Sequence, residues 1–160
     1  MRFGSAFKFR TRPVDPYDAF RGRYLDISLL QEKVPVEPRL TPAEGQTVYA
    51  VLVVERDGFA HLARLVADRP RGVPFLRLRM TRPYNPRPDI AADAGIPLST
   101  FALPFGRYYL NEGIAPAAES AYREHAEDED SYLVVRVRGG SAVAEELYVG
   151  GRRIEEVAGR

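Results

Sequence analysis

Apolar and polar residues alternate with a period of two along most of the chain. Phe7, Phe9 and Thr11 oppose Lys8, Arg10 and Arg12, the pattern of a strand with one wet face. Leu25, Ile27 and Leu29 repeat it against Tyr24, Asp26 and Ser28, which predicts a strand over residues 24–30. Residues 47–56 are rich in Val, Leu and Tyr and end at Arg56-Asp57-Gly58, and residues 59–67 return as an antiparallel partner. Asp57-Gly58 predicts a tight primed turn between them, because both residue types accept positive φ. In residues 75–80, Leu76, Leu78 and Met80 alternate with Arg77 and Arg79. Strands are also predicted over 98–103 and 107–110, hinged at Pro104-Phe105-Gly106, and over 131–138 and 142–149, joined at Gly139-Gly140-Ser141. Gly150-Gly151 then leads into a short tail containing Ile154.

One segment breaks the period. Over residues 116–126 the helix formers Ala117, Ala118, Glu119, Ala121, Arg123 and Glu124 cluster behind Pro116, whose missing N–H costs nothing in a first helical turn. Ala118, Ala121 and Tyr122 form the predicted packing face, and the acidic run 127–130 ends the helix in solvent. Residues 81–97 carry Pro83, Pro86, Pro88 and Pro97 with Asn85 and Gly95, which predicts a long loop. Residues 35–42 read as a connecting loop. The expectation is a mainly β fold of antiparallel sheets, a sandwich or partly open barrel, with one short α-helix around residues 116–126. Residues 1–160 are read as a single globular domain.

Composition narrows the chemistry more than it names it. A net charge of +1 over 160 residues gives no basic stripe for nucleic acid, so no nucleic-acid partner is expected. Apart from Lys8 and Lys33 every basic side chain is arginine. The absence of cysteine excludes disulfides, thiol nucleophiles and Cys-ligated metal sites. No apolar run approaches the roughly 20 residues of a spanning helix, and Met1–Ser5 lacks the apolar core of a signal peptide.

Chemical motifs are sparse. His61 lies mid-strand and reads as a sheet-face residue, and His125 lies at a helix end, where a cation favours the dipole. Neither has a Cys or His at ligand spacing, and no Gly-x-Ser-x-Gly elbow is present. The 127–130 acids lack the spaced pattern and central glycine of a calcium loop and read as a solvated run. Gly139-Gly140 and Gly150-Gly151 open no helix, so they cradle no phosphate. Arg77, Arg79 and Arg82 read as a wet face with some capacity for an anion. No cofactor, metal or catalytic residue is assigned.

Two motifs remain. In Asp15-Pro16-Tyr17-Asp18-Ala19-Phe20-Arg21-Gly22-Arg23-Tyr24, Asp15 and Asp18 can close side-chain turns, Pro16 fixes φ and Gly22 frees it. Residues 104–113 set Phe105, Tyr108 and Tyr109 beside Arg107, Asn111 and Glu112, and such rings either line a groove or pack in a core.

Together these motifs resemble the bacterial GDYXXLXY family, whose signature here reads Gly22-Arg23-Tyr24-Leu25-Asp26-Ile27-Ser28-Leu29. Gly22 and Tyr24 match. Arg23 stands for the signature Asp, Ile27 for Leu and Leu29 for the last Tyr. Val14-Asp15-Pro16 and Arg21 fit the approach to the motif, and Gly106, Tyr108, Tyr109, Glu112 and Gly113 resemble a second segment. Leu147-Tyr148-Val149-Gly150-Gly151 is similar too. The resemblance implies a membrane-anchored protein with an outward-facing globular domain and an integral membrane protein as partner. On that reading Met1 to about Ser5 stands where the N-terminal anchor would be, and this chain, with no membrane span of its own, is the soluble, extracytoplasmic (periplasmic) part. The family carries no assigned catalytic residues, and Arg23 reverses the charge of the signature position.

The function expected is therefore that of a non-enzymatic β domain that binds a membrane-protein partner or envelope component. Its binding residues are Arg21, Gly22, Tyr24, Tyr108 and Glu112, with an Arg21–Glu112 pair as the specific expectation. The alternative is a carboxylate-dependent hydrolase of peptide or glycan drawing on Asp15, Asp18, Asp26 and Glu112, which needs two carboxyls facing across a cleft.

Overall fold

The structure, a computed structural model, describes residues 4–12, 20–21, 24–37, 40–82, 95–127 and 129–159. It is mainly β, with antiparallel sheets that do not close and two helices. The chain divides into two compact units. One consists of Met1–Ser5, Gln31–Pro104 and Val137–Ala142, and the other of Ala6–Leu30, Phe105–Arg136 and Val143–Arg160.

In the first unit, β6 (Thr47–Val54), β7 (Ala60–Val66), β8 (Phe75–Met80) and β10 (Phe101–Ala102) form a sheet in the order β10-β8-β6-β7. Alternation places Val48, Ala50 and Leu52 of β6 with Leu62, Leu65, Leu76 and Leu78 in the core. A register shift between Val51 and Leu52 marks a bulge opposite β7. Beside it the Gln31 amide replaces a strand, donating to the Leu62 carbonyl at 2.8 Å and accepting from the Leu62 N–H at 2.9 Å. The short strands β5 (Lys33–Val34) and β9 (Ile96–Pro97) pair separately.

In the second unit, β1 (Ser5–Arg12), β4 (Ser28–Leu29), β12 (Ser131–Arg138), β13 (Ser141–Val149) and β14 (Arg152–Arg153) form a sheet in the order β14-β13-β12-β1-β4. A separate sheet holds β2 (Phe20–Arg21), β3 (Tyr24–Asp26) and β11 (Arg107–Tyr109) in the order β11-β3-β2. Helices α1 (Ala115–Glu127) and α2 (Ile154–Ala158) pack together. Phe9 stacks on Phe105 with ring centres 5.4 Å apart. Thr11, fully buried, shares a 2.5 Å hydrogen bond with Ser131, and the Tyr122 hydroxyl donates to the Arg12 carbonyl at 2.9 Å.

Several elements differ from expectation. The predicted 24–30 strand is two strands, because the Ile27 N–H leaves the ladder to bond the Gly106 carbonyl and the chain changes sheet there. Its inward set is unchanged, since Leu25, Ile27 and Leu29 are all buried. Residues 98–103 begin as a 3-10 turn over Leu98–Thr100, held by the Thr100 hydroxyl donating to the Pro97 carbonyl, and only Phe101–Ala102 is extended. The primed turn at Asp57-Gly58 is not formed. Gly58 alone has positive φ, +87°, in a three-residue loop closed by the Glu55 N–H on the Phe59 carbonyl, while Asp57 instead accepts from the Phe59 N–H. The tail after Gly150-Gly151 is β14 and α2, with Ile154 fully buried. In α1 the packing face is Ala115, Ala118 and Tyr122, and Ala121 is half-buried. The proline loop at 83–94 lies outside the described residues.

Candidate functional site

The three-stranded sheet carries the signature and the second aromatic segment side by side. Its register pairs Arg21 with Tyr24 and Tyr24 with Tyr109, and pairs Leu25 with Tyr108 and Asp26 with Arg107. Directly opposed residues of antiparallel strands share a face, and neighbours along a strand alternate between faces. One face therefore holds Leu25 and Tyr108, both buried, and the other holds Tyr24, Asp26, Arg107 and Tyr109.

On the inner face the Tyr108 hydroxyl donates to Oε1 of Glu155, brought there by α2. Burial, then the hydrogen bond and negative charge of Glu155, push the Tyr108 phenol far above its ordinary range. It is a neutral donor at physiological pH and cannot act as a base. The Arg153 guanidinium stands 4.0 Å from Oε2 of the same carboxylate, which has no hydrogen-bond partner among the described residues.

On the outer face Tyr109 is 68 % exposed, and its ring centre lies 5.7 Å from that of Tyr24. The Arg107 guanidinium lies over the Tyr24 ring, 4.7 Å from its centre, a cation–π contact that orients both side chains. The result is a small platform of two phenols and one guanidinium open to solvent. All three are side chains of the types that contribute strongly when buried in an interface.

The expected site residues separate on this frame. Tyr24 lies on the outer face. Tyr108 points into the core, and its role there is to tie β11 to α2. Glu112 is exposed in the turn between β11 and α1. Arg21 is placed only by its backbone pairing with Tyr24, and Gly22, Arg23, Asp15 and Asp18 lie outside the described residues, as does the Arg21–Glu112 pair with them. Arg107 and Tyr109 join the site beyond the expected residues, and strand alternation carries the signal for them. Two adjacent tyrosines cannot share a face, and Arg107 lies two residues from the one that is exposed. Glu155 had no signal, because the tail gave no sign of folding back.

Among the described residues no group of three or more His, Asp or Glu side chains is placed to hold a metal ion, and no helix is long and apolar enough to cross a membrane. His61 Nδ1 lies 3.2 Å from Glu55 Oε1, and His125 Nδ1 lies 3.5 Å from Asp130 Oδ2, each on its own part of the surface.

No curated protein and no solved structure matches the chain. The family described as GDYXXLXY protein does: its model matches residues 1–147, a span that includes both the signature strand β3 and the aromatic strand β11 paired with it, and the chain belongs to that family.

Proposed function

We propose that the chain is a non-enzymatic binding module, an accessory to an integral membrane protein or envelope component on the extracytoplasmic side of a bacterial membrane. The observation that carries this reading is the platform of exposed Arg107 and Tyr109 against half-buried Tyr24, on the two strands that hold the family motifs. Exposed Tyr and Arg side chains already oriented by one another lose little conformational freedom on docking, and these residue types dominate interface energetics. The inner face supports the platform, with Leu25 and Tyr108 packed beneath it and the Tyr108–Glu155 bond fixing β11.

The test is affinity purification from gently solubilised membranes, comparing the parent chain with Tyr109→Ala and Arg107→Ala. The expected result is a stoichiometric integral membrane protein recovered with the parent and lost with both variants, each substitution weakening binding by about thirtyfold. Recovery of the chain alone, or a partner retained by both variants, would overturn the reading.

A further inference from the structure

The arginines of β8 lie in the first unit and are not among the residues of the platform described above. Register sets Arg79 beside Thr47, Arg77 beside Tyr49 and Phe75 beside Val51. Across β6, Val51 faces Arg64, Tyr49 faces Val66 and Val53 faces His61. Val48, Ala50, Leu76 and Leu78 are buried on the opposite face, and on this one Val51 and Phe75 are buried while the arginines stand out from it. Arg64, Arg77 and Arg79 are exposed, and among the described residues no carboxylate stands within ion-pair distance of any of them. Glu55, at the Val53 end of this face, is paired with His61 at 3.2 Å.

At one end the face becomes apolar. The Leu52 N–H donates to the Pro74 carbonyl at 2.9 Å, so the β6–β8 alignment continues past Phe75 and brings Val73 level with Val53. Val53 and Val73 are 41 % and 44 % exposed, two of the five large apolar side chains exposed among the described residues.

We propose that this face docks on an anionic phospholipid bilayer. Arg64, Arg77 and Arg79 engage headgroup phosphates, and Val53 and Val73 enter the interfacial layer. A guanidinium matches phosphate oxygens bidentately, and Arg77 and Arg79, about 7 Å apart along the strand, present a flat row to a flat array of anions. The valines set the occupant apart from a soluble polyanion, which offers them nothing. Charge and shallow apolar burial are each weak, and together they give reversible attachment. A single-stranded nucleic acid would need rings free to stack on bases. Phe75 is 9 % exposed, lies edge-on to Tyr49 and is covered by the Arg69 guanidinium 5.3 Å from its centre.

The test is co-sedimentation of the chain with vesicles of phosphatidylcholine alone and of phosphatidylcholine mixed with phosphatidylglycerol. Binding is expected to the mixed vesicles only, and to weaken as salt is raised. The pair Arg77→Glu and Arg79→Glu should abolish it, and the milder pair Arg77→Gln and Arg79→Gln should lower partitioning about fivefold per arginine. The milder pair keeps the test decisive if charge reversal disturbs folding, which near-UV circular dichroism checks. Val53→Ser with Val73→Ser should also reduce binding. Equal binding to neutral vesicles, or binding indifferent to the glutamine pair, would overturn the proposal. So would valine substitutions without effect together with competition by a single-stranded oligonucleotide, since that pair of results describes a soluble-polyanion site.

Discussion

Tyr108 and Tyr109 are neighbours in sequence and occupy opposite environments, one hydrogen-bonded to Glu155 inside the sheet and the other open to solvent beside Tyr24. Their substitutions should therefore separate stability from binding. Tyr109→Ala removes an exposed ring, and the unfolding free energy should stay within about 0.5 kcal/mol of the parent's. Tyr108→Phe keeps the buried ring but strips Glu155 Oε1 of its donor, beside an Oε2 that already lacks a hydrogen bond, and should cost about 1–3 kcal/mol. Urea denaturation of the two variants checks both values. The opposite order would mean that the outer ring is the structural one.

Among elements, the clearest comparison is between two glycines of nearly equal φ. Gly58 at +87° has nothing within 4 Å of where a Cβ would stand, whereas at Gly140, at +88°, that carbon would lie 2.8 Å from Phe75 Cε2 and 3.1 Å from Arg77 Cβ. Gly58→Ala should cost only the left-handed backbone term, about 1–2 kcal/mol. Gly140→Ala should cost measurably more, because it also pushes the β12–β13 turn from β8, where the Gly140 carbonyl accepts from the Arg77 N–H at 2.9 Å. Thermal melts of the two variants give the comparison, and equal losses would show that the close approach is relieved by side-chain movement. The same elements show what was legible beforehand. β1, β12 and most of β8 could be read because one face is buried and the other wet, so alternation survives in the sequence, and β6 because its Val, Leu and Tyr content marks a strand even where Ala50, Val51 and Leu52 are all buried. The Gly139-Gly140 turn could be read because only glycine takes positive φ twice without cost. Residues 98–103 misled because the turn there is fixed by one hydroxyl-to-carbonyl bond, which leaves no periodic trace. Glu155 was invisible because a carboxylate in a short acidic tail looks solvated until the helix it sits on is known to pack against α1. At the site, Tyr24 was readable from the motif, whereas the inward turn of Tyr108 depends on the register of β11 against β3.

For the molecule as a whole, alkaline pH is the informative variable. Burial pushes the Tyr122 phenol from its ordinary 10.0 up to about 12, and burial with Glu155 moves Tyr108 the same way. An unfolded chain gives up these protons first. Stability is thus fully present below about pH 10 and declines as pH rises through the folded-state values, Tyr122 alone contributing a loss of about 2 kcal/mol by pH 12. Guanidinium denaturation at a series of pH values should show that decline, and Tyr122→Phe should flatten part of it. A parent whose stability is level from pH 9 to about 12 would remove these phenols from the account. The division into two units bears on something other than stability. The first needs Val137–Ala142 to be complete, and the second needs Val143–Arg160. As the chain leaves the ribosome N-terminus first, the first unit lacks a segment until Ala142 has been added, and the second until the residues after it have followed. Most of the strands are therefore made before the parts that complete them exist. Early strands of this kind wait for late partners, and in that interval they stay within reach of chaperones.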